Sequence, residues 1–372
     1  MRSVTWWIVV IAVLALGAVS AVVLLHRNGS DRSELPAYSA EDFSGGRSEH
    51  TSVAFSPDGK TLATAGSVKG SDASVWLWDV TSRRNIAAVP LPHHNRASSV
   101  VFSPDGKSLA AVADTGARAK GTVWLLDVTR RRKPASLPVQ YDYVGGLAFS
   151  ADSKTLAVGG GRGRDEGKVW LWDAADRRRI DALPVPFSYV GEVAFSPDRR
   201  TLAVGGGPDT EHDRSAGEGI WLWDLERRRN VATLPTRVGV SFMAFSPDGR
   251  TLAGEGESNE GEWTDVWLWD LSSRQRTSTI TGRTSAHYSP EDEGRQFSSV
   301  TFSPDGRTLA VGGRAPQGEG GVLLRDVPGR RNIATVTFTD RRADVDAVAF
   351  SPDGKTLAIG GNGLALWQAR GT

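Results

Sequence analysis

The chain has 372 residues, with 44 Lys and Arg against 43 Asp and Glu. A net charge of +1 gives no global pull towards nucleic acid or another polyanion, and no nucleic-acid partner is expected. Cysteine is absent, which excludes disulfides, thiolate metal sites and cysteine nucleophiles, and fits either side of a membrane.

In chain order, the first feature is Trp6 to Leu25, a run of 20 residues without a charge. As a helix it would be about 30 Å long, enough to cross a bilayer core. Trp6 and Trp7 stand at one end, where amphipathic rings favour the interface, and His26, Arg27 and Arg32 follow the other. A cleaved signal peptide competes with this reading, because Ala18-Val19-Ser20 suits a cleavage site. The apolar run continues past it through Val22-Val23-Leu24-Leu25, which favours an uncleaved anchor. The expectation is an N-terminal segment 1–25 with a transmembrane helix over 6–25, then a polar tether over 26–34. A short leader before one apolar run behaves most simply as a signal-anchor, giving a single-pass protein with its body on the extracytoplasmic side.

From Val53 onward one stretch recurs. Val53-Ala-Phe-Ser-Pro-Asp-Gly-Lys-Thr-Leu-Ala63 is followed by Val75-Trp-Leu-Trp-Asp79. Its phenylalanines stand at Phe55, Phe102, Phe149, Phe195, Phe245, Phe302 and Phe350, with steps of 47, 47, 46, 50, 57 and 48 residues. A near-fixed period of this size means repeated units, each too small to bury its own apolar faces. Within a unit the apolar residues alternate with period two, which predicts strands. Ser56-Pro57-Asp58-Gly59 predicts a tight hairpin between the first two strands: Pro pre-sets one torsion, and Gly takes the left-handed position. Copy three has Ala151-Asp152-Ser153 and copy four Pro197-Asp198-Arg199. A non-glycine there predicts two less well formed hairpins.

A fourth strand is expected after each strand-ending acid, at Asn85 to Val89, Pro134 to Leu137, Ile180 to Leu183, Asn230 to Leu234, Thr277 to Ile280 and Asn332 to Val336. Four strands per unit and seven units give an all-β fold, a seven-bladed β-propeller over 35–372. The last unit lacks a fourth strand, so residues 35–42 are expected to pair with 363–367 and close the ring.

Phe-Ser-Pro-Asp-Gly-Lys-Thr-Leu-Ala followed by Val-x-Leu-Trp-Asp resembles the WD40 repeat over about residues 35 to 372. The Trp-Asp pair stands at Trp78-Asp79, Trp172-Asp173, Trp223-Asp224 and Trp269-Asp270, and is replaced by Leu126-Asp127, Arg325-Asp326 and Trp367-Gln368. The family's Gly-His dipeptide is missing, with His50 and His93-His94 the nearest candidates, so its stiffening hydrogen-bond network is expected to be mostly lost. The resemblance implies an interaction platform, with no cofactor and an unknown protein as partner.

Function would sit in the loops, since the repeat itself builds the scaffold. An arginine stands four residues after the acid in six copies: Arg83, Arg131, Arg177, Arg228, Arg274 and Arg330. This basic rim reads either as a site for an anionic partner or as solvated turns neutralised by neighbouring aspartates. The loop of the fifth copy carries Glu255, Glu257, Glu260 and Glu262 around Trp263, suited to a basic partner or a cation. Tyr141 and Tyr143, then Phe187 and Tyr189, stand at matching positions before two successive units, where exposed aromatics would anchor a partner. Tyr141 and Phe187 are the better interface candidates, the other two being nearer the strands.

No catalytic motif is present: there is no Gly-x-Ser-x-Gly and no His-Glu-x-x-His. His212 lies in an acidic loop and reads as solvated. The expectation is a membrane-anchored, non-catalytic scaffold. The alternative is an enzyme or a ligand or cation sensor using the Gly-rich and acidic loops.

Overall fold

The computed structural model describes residues 21–22, 38–42, 48–68, 72–92, 94, 96–114, 121–129, 134–138, 142–161, 167–207, 219–236, 239–257, 264–280, 296–314, 320–338 and 344–369. Each repeat forms an antiparallel four-stranded blade, and there are seven. In blade one the strands are Ser48–Phe55, Thr61–Val68, Ser74–Asp79 and Arg84–Pro90, adjacent in that order. First strands of successive blades contact one another around the ring, with blade seven's Val345–Phe350 meeting Ser48–Phe55. The first strand is therefore the innermost and the fourth the outermost.

The core lies between blades. Small residues of the second strand, such as Ala63 and Ala65, let Val75 and Leu91 of blade one meet Val100, Leu109 and Leu126 of blade two. The tryptophan before the acid faces the preceding blade, so Trp78 packs on Ala347, Ala358 and Leu364 of blade seven. Trp172, Trp269 and Trp367 are each 1% exposed in the equivalent position. Burial this complete makes truncation of one of them worth about 3–5 kcal/mol.

The turn between first and second strands is tied by its own side chains. Ser56 Oγ donates to Asp58 Oδ1 at 2.6 Å and accepts from the Thr61 N–H at 2.9 Å, while the Lys60 N–H donates to Asp58 Oδ1 at 3.1 Å. The serine–aspartate bond recurs in all seven blades. It holds each of these aspartates below its ordinary pKa, the serine hydroxyl being the largest cause. Gly59 has φ 70°, a left-handed torsion that glycine adopts without cost.

The hairpins of copies three and four are as regular as the others, contrary to expectation. Ser153 (φ 64°) and Arg199 (φ 66°) adopt the same torsion and make the same turn hydrogen bonds, at 2.8 and 3.0 Å. The serine–aspartate tie over-determines the turn and outweighs the conformational cost. Ser153 also gains a contact glycine lacks, since its Oγ accepts from the Asp105 N–H of blade two at 3.0 Å.

Blade seven takes its outer strand from Tyr38–Asp42, which pairs antiparallel with Leu364–Ala369. The register runs from Tyr38 opposite Ala369 to Asp42 opposite Ala365. The apolar N-terminal run differs from the expected helix over 6–25 at the two residues described. Ala21–Val22 is a short strand paired with Thr337 and Phe338 on the outer edge of blade six. An outer strand offers unpaired backbone groups that an extended segment can satisfy. No helix among the described residues is long and apolar enough to cross a membrane.

Blade one carries a buried polar network joining His50, Thr64 and Trp78. His50 Nδ1 lies 3.1 Å from Thr64 Oγ1, which also accepts from Trp78 Nε1 at 3.1 Å. All three side chains are buried. The residues equivalent to Thr64 are Ala111, Val158, Val204, Gly254, Val311 and Ile359, none with a hydroxyl. Thr64→Val is expected to lower stability by about 1–3 kcal/mol in denaturant unfolding, because two buried polar groups lose their shared partner.

Candidate functional site

Strand direction sorts the connections onto two ends of the ring. Turns joining first to second and third to fourth strands lie at one end, here the turn end. Those joining second to third strands and blade to blade lie at the other, the loop end. Among described side chains, leaving mid-strand Asp181 and Glu192 aside, the turn end carries 21 Lys and Arg against 15 Asp and Glu. The loop end carries 8 acids against 2 bases. Among the described residues, the turn end is therefore basic and the loop end acidic.

The arginines of the turn end sit in a costly conformation. In blade one, Asp79 Oδ1 accepts from the Ser82 N–H at 2.6 Å and the Ser82 hydroxyl at 2.7 Å, and the Arg83 N–H donates to Asp79 O at 2.8 Å. That closure leaves Arg83 left-handed, with φ 58°. Arg177, Arg228, Arg274 and Arg330 have φ 54°, 53°, 57° and 51°. A left-handed torsion costs a residue with a Cβ about 1–2 kcal/mol. The same chain places glycine at φ 69–71° in five of its first-to-second-strand turns. Arg131 lies outside the described residues.

Electrostatics at this end are local. The turn aspartates accept hydrogen bonds from their own turns; those from Ser272 and Ser273 push Asp270 down to about 2. Arg227 pairs with Asp224 at 2.8 Å, Arg331 with Asp326 at 3.6 Å, and Arg228 reaches back to Asp181 of blade three at 2.5 Å. Arg177, Arg274 and Arg330 are exposed and form no ion pair among the described residues. Beside the arginines lie Ile86 (43% exposed) and Ile180 (55% exposed). Each is the extra residue of an outer-strand bulge, which turns it outward.

At the loop end the aromatic candidates divide. Phe187 is 3% exposed and meets Trp221 edge-on at 5.9 Å, inside the core between blades three and four. It is a packing residue, and the expectation of an interface anchor is corrected. The cause is the glycine-rich second strand: Gly206 leaves room in which the ring lies. Tyr143 hydroxyl accepts from the Val190 N–H of blade four at 2.9 Å. Tyr189 lies over Gly239 at the start of blade five. Both tie neighbouring blades together. Tyr141, Glu260, Glu262, Trp263, His93 and His212 lie outside the described residues, as does the side chain of Glu257.

Glu255 replaces the Gly, Ala or Val of other second strands. Blade five has only Met243–Phe245 as its first strand, and Glu255 Oε2 accepts from the Ser241 N–H at 2.7 Å where the ladder has stopped. Burial raises its pKa. Glu192, mid-strand on the innermost strand of blade four, is the group that sequence reasoning missed. Its carboxylate lies over Gly146 of blade three and accepts from the Val193 N–H at 2.9 Å. The residue is half-buried, yet its carboxyl is crowded enough for desolvation to push it up to about 8. The legible signal was one acid where the matched positions hold Ser52, Ser99, Gly146, Phe242, Ser299 and Ala347.

A cavity of about 400 Å³ opens at the turn end between blades six and seven, with Leu324, Phe350, Leu357 and Trp367 inside and Asp305, Asp353 and Lys355 at its lining. At the other interfaces the residue after the third-strand acid plugs this place: Val80, Val128, Ala174, Leu225, Leu271 and Val327. Blade seven takes its outer strand from Tyr38–Asp42, so it has no turn from third to fourth strand.

Phe187→Ala is expected to cost about 3–5 kcal/mol in chemical unfolding, the signature of a core residue. Glu192→Gln tests the buried carboxyl. Its folded pKa, about 8, lies above the unfolded 4.5, so the folded state resists ionisation and the native chain loses stability as pH rises from about 4.5 to about 8. Thermal melts across that window should show a smaller decline for the variant.

The family model described as WD domain, G-beta repeat matches residues 43–79 and 333–366. The first match ends on Trp78-Asp79 and covers the first three strands of the blade that keeps His50, Thr64 and Trp78 together. The second runs from the outer strand of blade six into the third strand of blade seven. No curated protein matches the chain. Seven four-stranded blades closed into a ring, with the WD40 repeat matched at residues 43–79 and 333–366, make this a seven-bladed propeller that carries WD40 repeats.

Proposed function

We propose that this protein is a non-catalytic scaffold that holds protein partners at a membrane. The observation that carries the reading is the division of charge between the two ends of one ring, which offers two surfaces of different chemistry to two partners. The WD40 repeats matched in the chain support the scaffold role, since propellers built from them generally bind proteins. The anchor is the uncharged run Trp6 to Leu25, followed by the tether 26–34 and the propeller 35–372, with the propeller on the extracytoplasmic side. Pairing of Ala21–Val22 with blade six and insertion of that run are competing uses of the same residues. A two-residue bridge is the weaker of the two, because 20 apolar residues gain far more by leaving water.

The test uses the full chain expressed in cells. It is expected to stay with membranes through an alkaline wash and to be cleaved by protease added outside but not inside. Recovery in the soluble fraction would overturn the anchor. Photo-crosslinkers placed singly at Lys168 and at Lys355 report the loop and turn ends. Distinct adducts are expected from the two, and no protein adduct at either would overturn the scaffold role.

A further inference from the structure

We infer that the turn end of the propeller is itself a membrane-docking face, which lies flat on anionic lipid headgroups through its left-handed arginines. Three independent observations meet there. The first is conformational. Five described turns from third to fourth strand hold an arginine at φ 51–58°, although the chain uses glycine for the equivalent torsion in five other turns. Backbone cost accepted repeatedly at one kind of turn points to a use for the side chain. The second is electrostatic. The aspartates of these turns are engaged by turn hydrogen bonds, as at Asp79, Asp224 and Asp270, while Arg177, Arg274 and Arg330 are exposed and form no ion pair among the described residues. The third is apolar. Ile86 and Ile180 stand outward on the same rim, each beside an arginine-bearing turn. Basic residues interspersed with exposed aliphatic ones suit the headgroup–acyl boundary, whereas a soluble polyanion would leave the isoleucines idle.

Tyr38 pairs with Ala369 at the turn end of blade seven. Docking by this end requires the bridge of Ala21–Val22 to Thr337 and Phe338, which lies at the loop end of blade six, to give way. Residues 23–37 would span roughly 50 Å if extended, which lets the apolar run enter a bilayer facing that end. The proposal deepens the membrane reading above and is separable from it, because an anchor holds the chain to any bilayer whereas arginines discriminate anionic from neutral lipid.

The absence of cysteine makes the experiment direct. Full-length protein carrying Ile180→Cys, or Lys168→Cys as the loop-end control, is labelled with a polarity-sensitive dye. It is then mixed with phosphatidylcholine vesicles or with vesicles that also contain phosphatidylserine. The Ile180 position is expected to shift to an apolar signal only with the anionic vesicles, and to lose that shift at about 1 M salt, where the Debye length is about 3 Å. The Lys168 position should not change. A second variant combines Arg83→Gly, Arg177→Gly, Arg228→Gly, Arg274→Gly and Arg330→Gly, which relaxes the five torsions and is expected to raise the melting temperature. Anionic-vesicle affinity should fall by about fivefold for each arginine engaged. An unchanged dye shift in that variant, or a shift of equal size at Lys168, would overturn the proposal. So would a response to heparin with none to anionic vesicles. Failure of the anchor alone would appear differently, as loss of association with neutral vesicles while the salt-sensitive shift at Ile180 remained.

Discussion

The structure depends on one short hydrogen-bonded tie, repeated seven times. A serine hydroxyl donates to the aspartate two residues on and accepts from the N–H five residues on, closing the first hairpin of every blade. Because each tie uses a carboxylate with a lowered pKa, it is charge-assisted and stronger than a neutral turn bond. It sets the register of the first two strands, Ala54 opposite Ala63 and Phe55 opposite Leu62, and so decides which residues face the neighbouring blades. It also holds left-handed torsions at Ser153 and Arg199, where side chains would otherwise disfavour them. The turns then stack around the axis: a side chain at Gly354 would meet the Pro304 ring at 3.4 Å, and one at Gly59 the Pro352 ring at the same distance.

Blades cohere by exchanging side chains across their interfaces. Alanine and glycine on the second strands make room, and the tryptophans of the third strands fill it. Two places depart from this scheme. Blade five loses the beginning of its innermost strand, and Glu255 takes up the backbone N–H left behind. Blade seven borrows its outer strand from near the other terminus, and a cavity stands where a turn would have lain. Arg325 is a smaller departure: in the place of a tryptophan, it reaches Ser278 of blade five at 2.9 Å and Asn332 at 3.0 Å instead of filling the interface.

Charge is arranged on a larger scale than any single pair. Exposed ion pairs such as Arg227–Asp224 contribute little to stability. The sorting of bases to one end and acids to the other matters for what the protein meets. Such sorting follows from topology, because every third-to-fourth-strand turn points the same way. A residue repeated in sequence becomes a ring in space.

The seven copies, their strand periodicity and the Pro-Asp-Gly turns were legible in the sequence, because each is a local pattern whose physics is settled within about ten residues. The WD40 likeness rested on the same patterns. Spacing also marked the arginines, but their left-handed torsion was not visible, since it arises from the closure on Asp79 and its equivalents. Phe187 read as an exposed anchor and proved to be core, and Glu192 went unnoticed on the innermost strand. In both cases the neighbouring blade decides the outcome, through the space at Gly206 and the close approach of Gly146. By itself the sequence determined the blade, because a blade is made by neighbours along the chain. Only the tertiary structure decided what is buried and which charges share a face, because those depend on residues about one repeat away that pack across the interface.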